Sequence, residues 1–387
     1  MCETFGNTIK DLLEKREIKQ KDFAEECGMT TSLLNKVLNS GRESEFEKIL
    51  TLVRRIIAHH GQLQEEKMMS LYISGIRNSS NIKSAMEYCD THDMKETLQI
   101  LCDRADSMAD HKNQLKEYST MYQLNMERKN QQFEENVTKE LFNKIISQKN
   151  KVEEMKIFQS ILEIVMFQQE KKINKIIDYT PKLEIQLENS KSKLIKSFNM
   201  RLNNVLQTVY LRNICDFEKS RDLSFESLRI SIGNRFEAAS YVNLGDSCIH
   251  DEDPTLAIEY LEKSIQIYKE IGLDDAADWM VEKIEFISIL RGKKIDSIKH
   301  ETNKALKYIL DGRKEDGLKL LDTLKATPKT QFIRGMGTDD PENFWDSLDG
   351  YMERGDRLYG LFSVLELKRL GEREKVVDMV YNASLRR

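Results

Sequence analysis

Near the N-terminus the residues best suited to recognition chemistry are Thr31, Ser32, Asn35 and Lys36. All four project from the outer side of one short segment, TSLLNKVLNS. An asparagine can bond an adenine edge with both amide atoms, and a lysine reaches guanine or phosphate. Gln20 opens the preceding segment, where side chain and backbone N–H groups can meet a phosphate. Arg42 lies just beyond, and with Lys19, Lys21 and Lys36 it can form a positive face. The elements that must hold this set read as a helix-turn-helix over Gln20–Val37, QKDFAEECGMTTSLLNKV. Phe23, Ala24 and Cys27 share one face of a short helix, with Ala24 small where two helices cross. Gly28 supplies a turn through positive φ and Met29 packs beneath it. Thr30 or Thr31 caps a second helix whose inner face carries Leu34 and Val37. A solvated hairpin inside a larger bundle would share part of this pattern. Core, turn glycine and outward polar set together favour a helix presented to the DNA major groove.

Charge qualifies that reading. The 387-residue chain carries a formal net charge of −5. Residues 1–55 hold ten Lys/Arg against ten Asp/Glu, so the head is neutral. Phosphate contacts favour a positive face, so one head should bind weakly and two together tightly. Only 4 prolines and 17 glycines, with 32% charged residues, point to helix nearly throughout. No apolar run approaches the ~20 residues of a membrane span. MCETFGNTIK lacks the basic-then-apolar layout of a secretory signal, so the expected location is the cytoplasm. The six cysteines are scattered without metal or disulfide spacing, and Cys27 reads as core. His59 and His60 are adjacent, diverge by about 100° on a helix and make a poor metal pair. No metal site and no cofactor is expected.

Beyond the head, Glu43–His60 reads as one amphipathic helix with Phe46, Leu50, Val53 and Ile57 as its inner stripe. The body then shows helical repeats. In Tyr241–Lys269 the residues Tyr241, Leu244, Gly245 and Ala257 fill the tetratricopeptide positions, and Leu261 and Ser264 continue the second helix. A weaker copy spans Asn303–Leu324 and a degenerate one Val205–Leu228; Ala85–Arg104 is a helical pair without a motif. Such units cannot bury their apolar faces singly, so they stack, here as a right-handed superhelix with a concave channel suited to extended peptides. Asn243 and Asn303 each lie two residues before the small residue of their repeat and should face inward. An asparagine there can donate to and accept from a peptide backbone.

A head followed by degenerate repeats resembles the peptide-sensing regulators of Gram-positive bacteria and their phages. Within that group EMKIFQSIL, RLNNVLQTVYL, NRFEAASYVNLG and DRLYGLFSVLELKRLG are similar to segments of the arbitrium-peptide receptors (AimR type) of temperate phages. These stretches are scattered over residues 60–380, in matching order and spacing. The resemblance implies a receptor dimer that activates a lysis-promoting element and is silenced by a phage hexapeptide. It places the family's arginine for the peptide carboxylate on Arg235, and its acidic residue for a peptide arginine or amine on Asp356. Taken singly, each could be an ordinary surface charge. Thr208 stands where the family has asparagine and Arg212 where it has another polar residue, departures that imply a different peptide.

In the C-terminal segment Leu361, Val364, Leu365 and Val377 belong to an apolar stripe at the end of the array. Terminal repeats are usually polar outside, so the stripe suggests a two-fold partner, as the resemblance also implies. No P-loop, GxGxxG, HExxH or nucleophile elbow occurs.

The fold expected is therefore all-α: a helix-turn-helix domain over residues 1–60, tetratricopeptide-like repeats over 61–355, and a capping and dimerisation segment over 356–387. The function expected is a peptide-switched, DNA-binding regulator of phage lysis and lysogeny, working as a dimer in the host cytoplasm. The alternative is a tetratricopeptide regulator that acts by protein contact, as a response-regulator inhibitor or phosphatase, without operator DNA.

Overall fold

A computed structural model describes residues 4–40, 43–60, 64–108, 114–130, 135–230 and 232–383. Among them every regular element is helical and no strand occurs. The chain forms two compact units, one of residues 1–162 with 191–195, the other of 163–190 with 196–387. That division differs from the segments read for function, which divide at 60 and 355.

The first unit begins with α1 (Phe5–Lys15), α2 (Gln20–Glu26), α3 (Thr31–Ser40) and α4 (Phe46–His60). Thr4 caps α1 by accepting from the Asn7 amide, which satisfies one of the donors a helix start leaves unpaired. The apolar spacing of α1 buries Phe5, Ile9, Leu12 and Leu13. α1 crosses α3 closely at Gly6, where an added Cβ would stand 2.2 Å from the Leu38 carbonyl oxygen. Only glycine fits that crossing.

α4 starts at Phe46 rather than Glu43, because the residues before it serve the next helices. The Glu43 carboxylate accepts from the amides of Arg77 (2.5 Å) and Asn78 (2.9 Å), and the Ser44 carbonyl accepts from Tyr72 Oη (3.0 Å) and Asn81 Nδ2 (2.8 Å). Asn81 Oδ1 in turn accepts from the Phe46 amide at 3.1 Å. The buried stripe of α4 is Phe46, Ile49, Leu52, Val53 and Ile56, with Leu50 and Ile57 only half-buried. The expected stripe is thus turned by about one residue. Apolar residues cover so much of this helix that period alone leaves its orientation open; its packing partners set it.

Farther along this unit, helix Ser79–Thr91 packs on Lys95–Ser107 and Gln114–Asn130. Two buried carboxylates fasten it. Glu87 accepts from Tyr122 Oη at 2.6 Å, and Asp90 accepts from Asn125 at 2.9 Å and from Lys129 at 3.0 Å. Enclosed acids persist because donors surround them.

The second unit contains the repeats. Helix Asn234–Asp246 lies against Thr255–Glu270. A Cβ on Gly245 would meet Leu261 Cγ at 2.8 Å and the Ala257 carbonyl at 3.1 Å, so the tetratricopeptide glycine marks the closest approach. In the weaker copy, a Cβ on Gly317 would stand 2.8 Å from the Ala305 carbonyl. The degenerate copy departs from the pattern: helix Ile195–Thr208 runs on into a π-helical turn, Val209–Ile214, which ends at Cys215 with φ 62°. Side-chain spacing gives no warning of such a turn, which costs hydrogen-bond geometry and concentrates at functional positions. One apolar core runs through this unit, from Leu211 and Leu261 to Phe344, Leu367 and Val377.

Candidate functional site

The head carries the first candidate site. Phe23, Ala24, Cys27, Met29, Leu34 and Val37 are all buried. Gly28 has φ 62°, and the Met29 amide closes the turn on the Ala24 carbonyl at 2.8 Å. Thr30 is the cap of α3, its hydroxyl accepting from the Leu33 amide at 3.2 Å, and Thr31 is the first helical residue. Ser32 and Lys36 are exposed, while Gln20, Thr31 and Asn35 are half-buried. Arg42 lies outside the described residues. Burial holds the Cys27 thiol protonated, pushed up to about 11, with Glu26 adding to the shift. α1 is the part of the head that motif reading misses. Its signal was present in Phe5, Ile9, Leu12 and Leu13, at helical spacing.

The second candidate site joins helices of the repeat unit by two cross-links. Thr208 and Asn243 come together, Asn243 Nδ2 donating to Thr208 Oγ1 at 3.4 Å and to the Ala239 carbonyl at 3.1 Å. One turn on, Arg212 of the π-helical segment donates to Asp246 Oδ2 and to Asp356 Oδ2, each at 2.7 Å. Lys283 completes the group, its ammonium 2.8 and 2.6 Å from the two Asp246 oxygens. Two cations and two carboxylates therefore form a closed, neutral set, with Asp246 fully enclosed. Aromatic rings cover it: Tyr359 lies 5.9 Å from the Arg212 guanidinium carbon and 5.8 Å from Lys283 Nζ, and Trp279 lies 5.3 Å from the same ammonium. Trp279 is 57% exposed, a large apolar surface at the edge of the set.

The electrostatics follow from this crowding. Burial opposes the Arg212 charge, but Asp356 and Asp246 outweigh it and hold the guanidinium charged. Lys283 is pulled below the usual lysine range, first by burial and then by Arg212, against the pull of Asp246. Burial drives the Tyr359 hydroxyl well above its ordinary value, with Asp246 next to it in effect. Tyr359 Oη is enclosed without a hydrogen-bond partner among the described residues.

Arg212 and Asp356 are thus brought together, but as partners of one another. Arg235 is exposed and stands near Tyr268, where its charge opposes the rise that burial imposes on that phenol. Asn303 is enclosed and its amide is used internally, donating to the Glu282 carbonyl at 2.8 Å and to Glu285 at 2.9 Å. Asp246 and Lys283 are absent from the sequence reading. A lysine in a helix rich in apolar residues, VEKIEFISIL, and an aspartate directly after the repeat glycine were the available signals. Of the C-terminal stripe, Val364 and Val377 lie within the unit's own core and Leu361 packs half-buried against it. That removes those two from any outer face, since the terminal helices Arg357–Arg369 and Glu374–Ala383 consume them in packing. Leu365 is 51% exposed, and Val376 and Met379, one turn apart on the last helix, are exposed too.

Among the described residues no His, Cys, Asp or Glu side chains gather in threes to hold a metal, and no helix is long and apolar enough to cross a membrane.

Comparison with known proteins bears on the whole chain. The family model described as AimR transcriptional regulator-like matches residues 65–369. No curated protein matches. Among solved structures, the chain is similar to selenomethionine phAimR, at 17% identity and a TM-score of 0.80, over 98% of this chain and 100% of that one. It is also similar to phAimR with ligand, at 17% identity and a TM-score of 0.64, over 82% and 96%. At such identity the two likenesses concern the fold.

Proposed function

Given that this chain belongs to the AimR transcriptional regulator-like family, we propose that it is a DNA-binding regulator switched by a short peptide. In this reading residues 1–60 read operator DNA through Gln20, Thr31, Ser32, Asn35, Lys36 and Arg42. Residues 61–355 sense the peptide, and 356–387 cap the array and dimerise, with exposed Leu365 as the contact of that segment. The observation that supports the reading is the geometry of residues 20–37: buried inner face, positive-φ turn and capped second helix with Ser32 and Lys36 exposed. A phAimR structure holds a ligand, which supports peptide sensing in this chain, and phage lysis–lysogeny control is the corresponding biological role.

The peptide site we propose comprises Thr208, Arg212, Arg235, Asn243 and Asp356, with Asn303 bracing its wall through Glu285. Arg212 already neutralises Asp356. A peptide cation reaching Asp356 must therefore displace Arg212, and a peptide carboxylate can be met by Arg212 or Arg235 instead. Exchange of these partners would change how the 209–214 turn is tied to the 356 region. A ligand can shift the balance only by unequal affinity for two arrangements, and ~3 kcal/mol corresponds to more than a hundredfold in DNA affinity.

The test is fluorescence anisotropy with a pool of random duplexes at low salt. The full chain should bind, and Asn35→Ala with Lys36→Ala should weaken binding about tenfold or more, a loss of roughly 1–3 kcal/mol. Arg235→Ala should keep DNA affinity while losing the response to a hexapeptide library. No retention of any duplex by the wild type overturns the DNA reading and leaves regulation by protein contact.

A further inference from the structure

We propose that the second unit contains a binding cavity for a small organic monocarboxylate with an apolar body, held by Arg357. This inference does not rest on the peptide or DNA reading. The cavity has a volume of about 540 Å³, within the range that holds small ligands. Arg357 lines it and is only 4% exposed. Its guanidinium meets neutral groups alone: Nη1 donates to the Asn213 carbonyl at 3.2 Å, Nη2 donates to Asn382 Oδ1 at 2.9 Å, and the Tyr381 ring lies 4.3 Å away. Nε is enclosed and has no hydrogen-bond partner, and no carboxylate among the described residues pairs with the side chain. A buried cation with neither counter-ion nor full complement of acceptors is costly. A carboxylate against the cavity wall supplies the missing counter-charge.

The rest of the lining restricts the ligand. Ile173, Ile177, Met352 and Val380 give apolar wall. Asp349 and Glu353 are exposed, line the same cavity and pair with no cationic side chain among the described residues. They disfavour a second negative charge, so a single carboxylate is preferred over phosphate or a dicarboxylate. Lys171, in the left-handed region at φ 58°, donates its ammonium to the Glu353 carbonyl and holds one wall in place. The neighbouring Lys172 is paired with Glu170 at 2.5 Å, so Arg357 and the exposed Lys171 are the lining cations that meet no carboxylate among the described residues.

Two sources share this chemistry: the carboxylate end of an amino acid or peptide, and a plain organic acid. Three probes with the same isobutyl body separate them, L-leucine, 4-methylpentanoate and L-leucinamide, titrated into the full chain by calorimetry and by thermal shift. Leucine or 4-methylpentanoate should bind saturably in the millimolar range, and leucinamide should not. A stronger response to leucine assigns the amino-acid source, with its ammonium toward Asp349 and Glu353; a stronger response to 4-methylpentanoate assigns the organic acid. Arg357→Gln should weaken binding about tenfold or more, the scale of a lost charge-assisted pair. Because Arg357 also ties the Asn213 and Ile214 carbonyls, a second variant separates ligand loss from lost folding: Ile177→Trp, at an exposed lining position, fills the cavity with Arg357 intact and should also abolish the response. No saturable response to either carboxylate, an equal response to leucinamide, or an unaltered response in Ile177→Trp overturns the proposal.

Discussion

In the head, Phe23, Leu34, Ile49 and Leu52 are enclosed by other apolar side chains, and the helix starts are met by the hydroxyls of Thr4 and Thr30. Across helices Ile195–Thr208, Asn234–Asp246 and Asp274–Leu290, by contrast, the enclosed groups include charges: Asp246 and Lys283 lie inside, tied to Arg212 and through it to Asp356. The first arrangement rests on apolar burial and needs no counter-ion. The second balances desolvation against ion pairing, two large opposing quantities, so an added or removed charge from a ligand can tip it. The two regions should therefore respond differently to the same kind of damage.

The largest effect is expected at the charged set. Asp246→Asn strips Arg212 and Lys283 of their shared anion and should cost about 3–5 kcal/mol of unfolding free energy. Chemical denaturation measures it, and Asp246→Leu combined with Lys283→Met should recover much of the loss, because an apolar pair needs no counter-ion. A loss under about 1 kcal/mol for the single variant would mean the set is solvated and the contrast with the head is false.

Gly6→Ala comes next, since its Cβ meets backbone rather than a yielding side chain; about 1–3 kcal/mol should be lost from the head. Hydrogen exchange should locate that loss in α1 and α3. The alkaline limb gives a third measure. Cys27 has a folded value of about 11 against 9.0 unfolded. Its contribution is fully present below pH 9 and fades as pH rises toward 11, an effect of about 3 kcal/mol that Cys27→Ala should remove from the pH profile. The smallest change is Thr30→Ala, about 1 kcal/mol for a lost helix cap, read as a small drop in melting temperature.

How legible each region was in the residues follows from its physics. The head's inner face was readable because short-range rules govern it: 3.6-residue spacing, a glycine where φ is positive, a hydroxyl before a helix. Gly245 with Ala257, and Gly317 with Ala305, were readable for a related reason, since close helix crossings exclude larger side chains. The α4 stripe came out turned because apolar residues cover most of that helix, leaving its neighbours to choose the face. Val364 and Val377 looked like an outer stripe, yet the last two helices use them against their own core. Thr208 with Asn243 and Arg212 with Asp356 were marked as site residues, but that they pair with one another depends on partners 35 and 144 positions apart.

From residue order alone came the all-helical class, the buried inner face and glycine turn of residues 20–37, and the repeat glycines, each set by interactions within a few turns of chain. Three-dimensional packing settled the α1–α3 crossing, the closed group around Asp246 and the solitary charge of Arg357. Those features arise from side chains distant in sequence that share one enclosed space, where desolvation makes every charge depend on its neighbours.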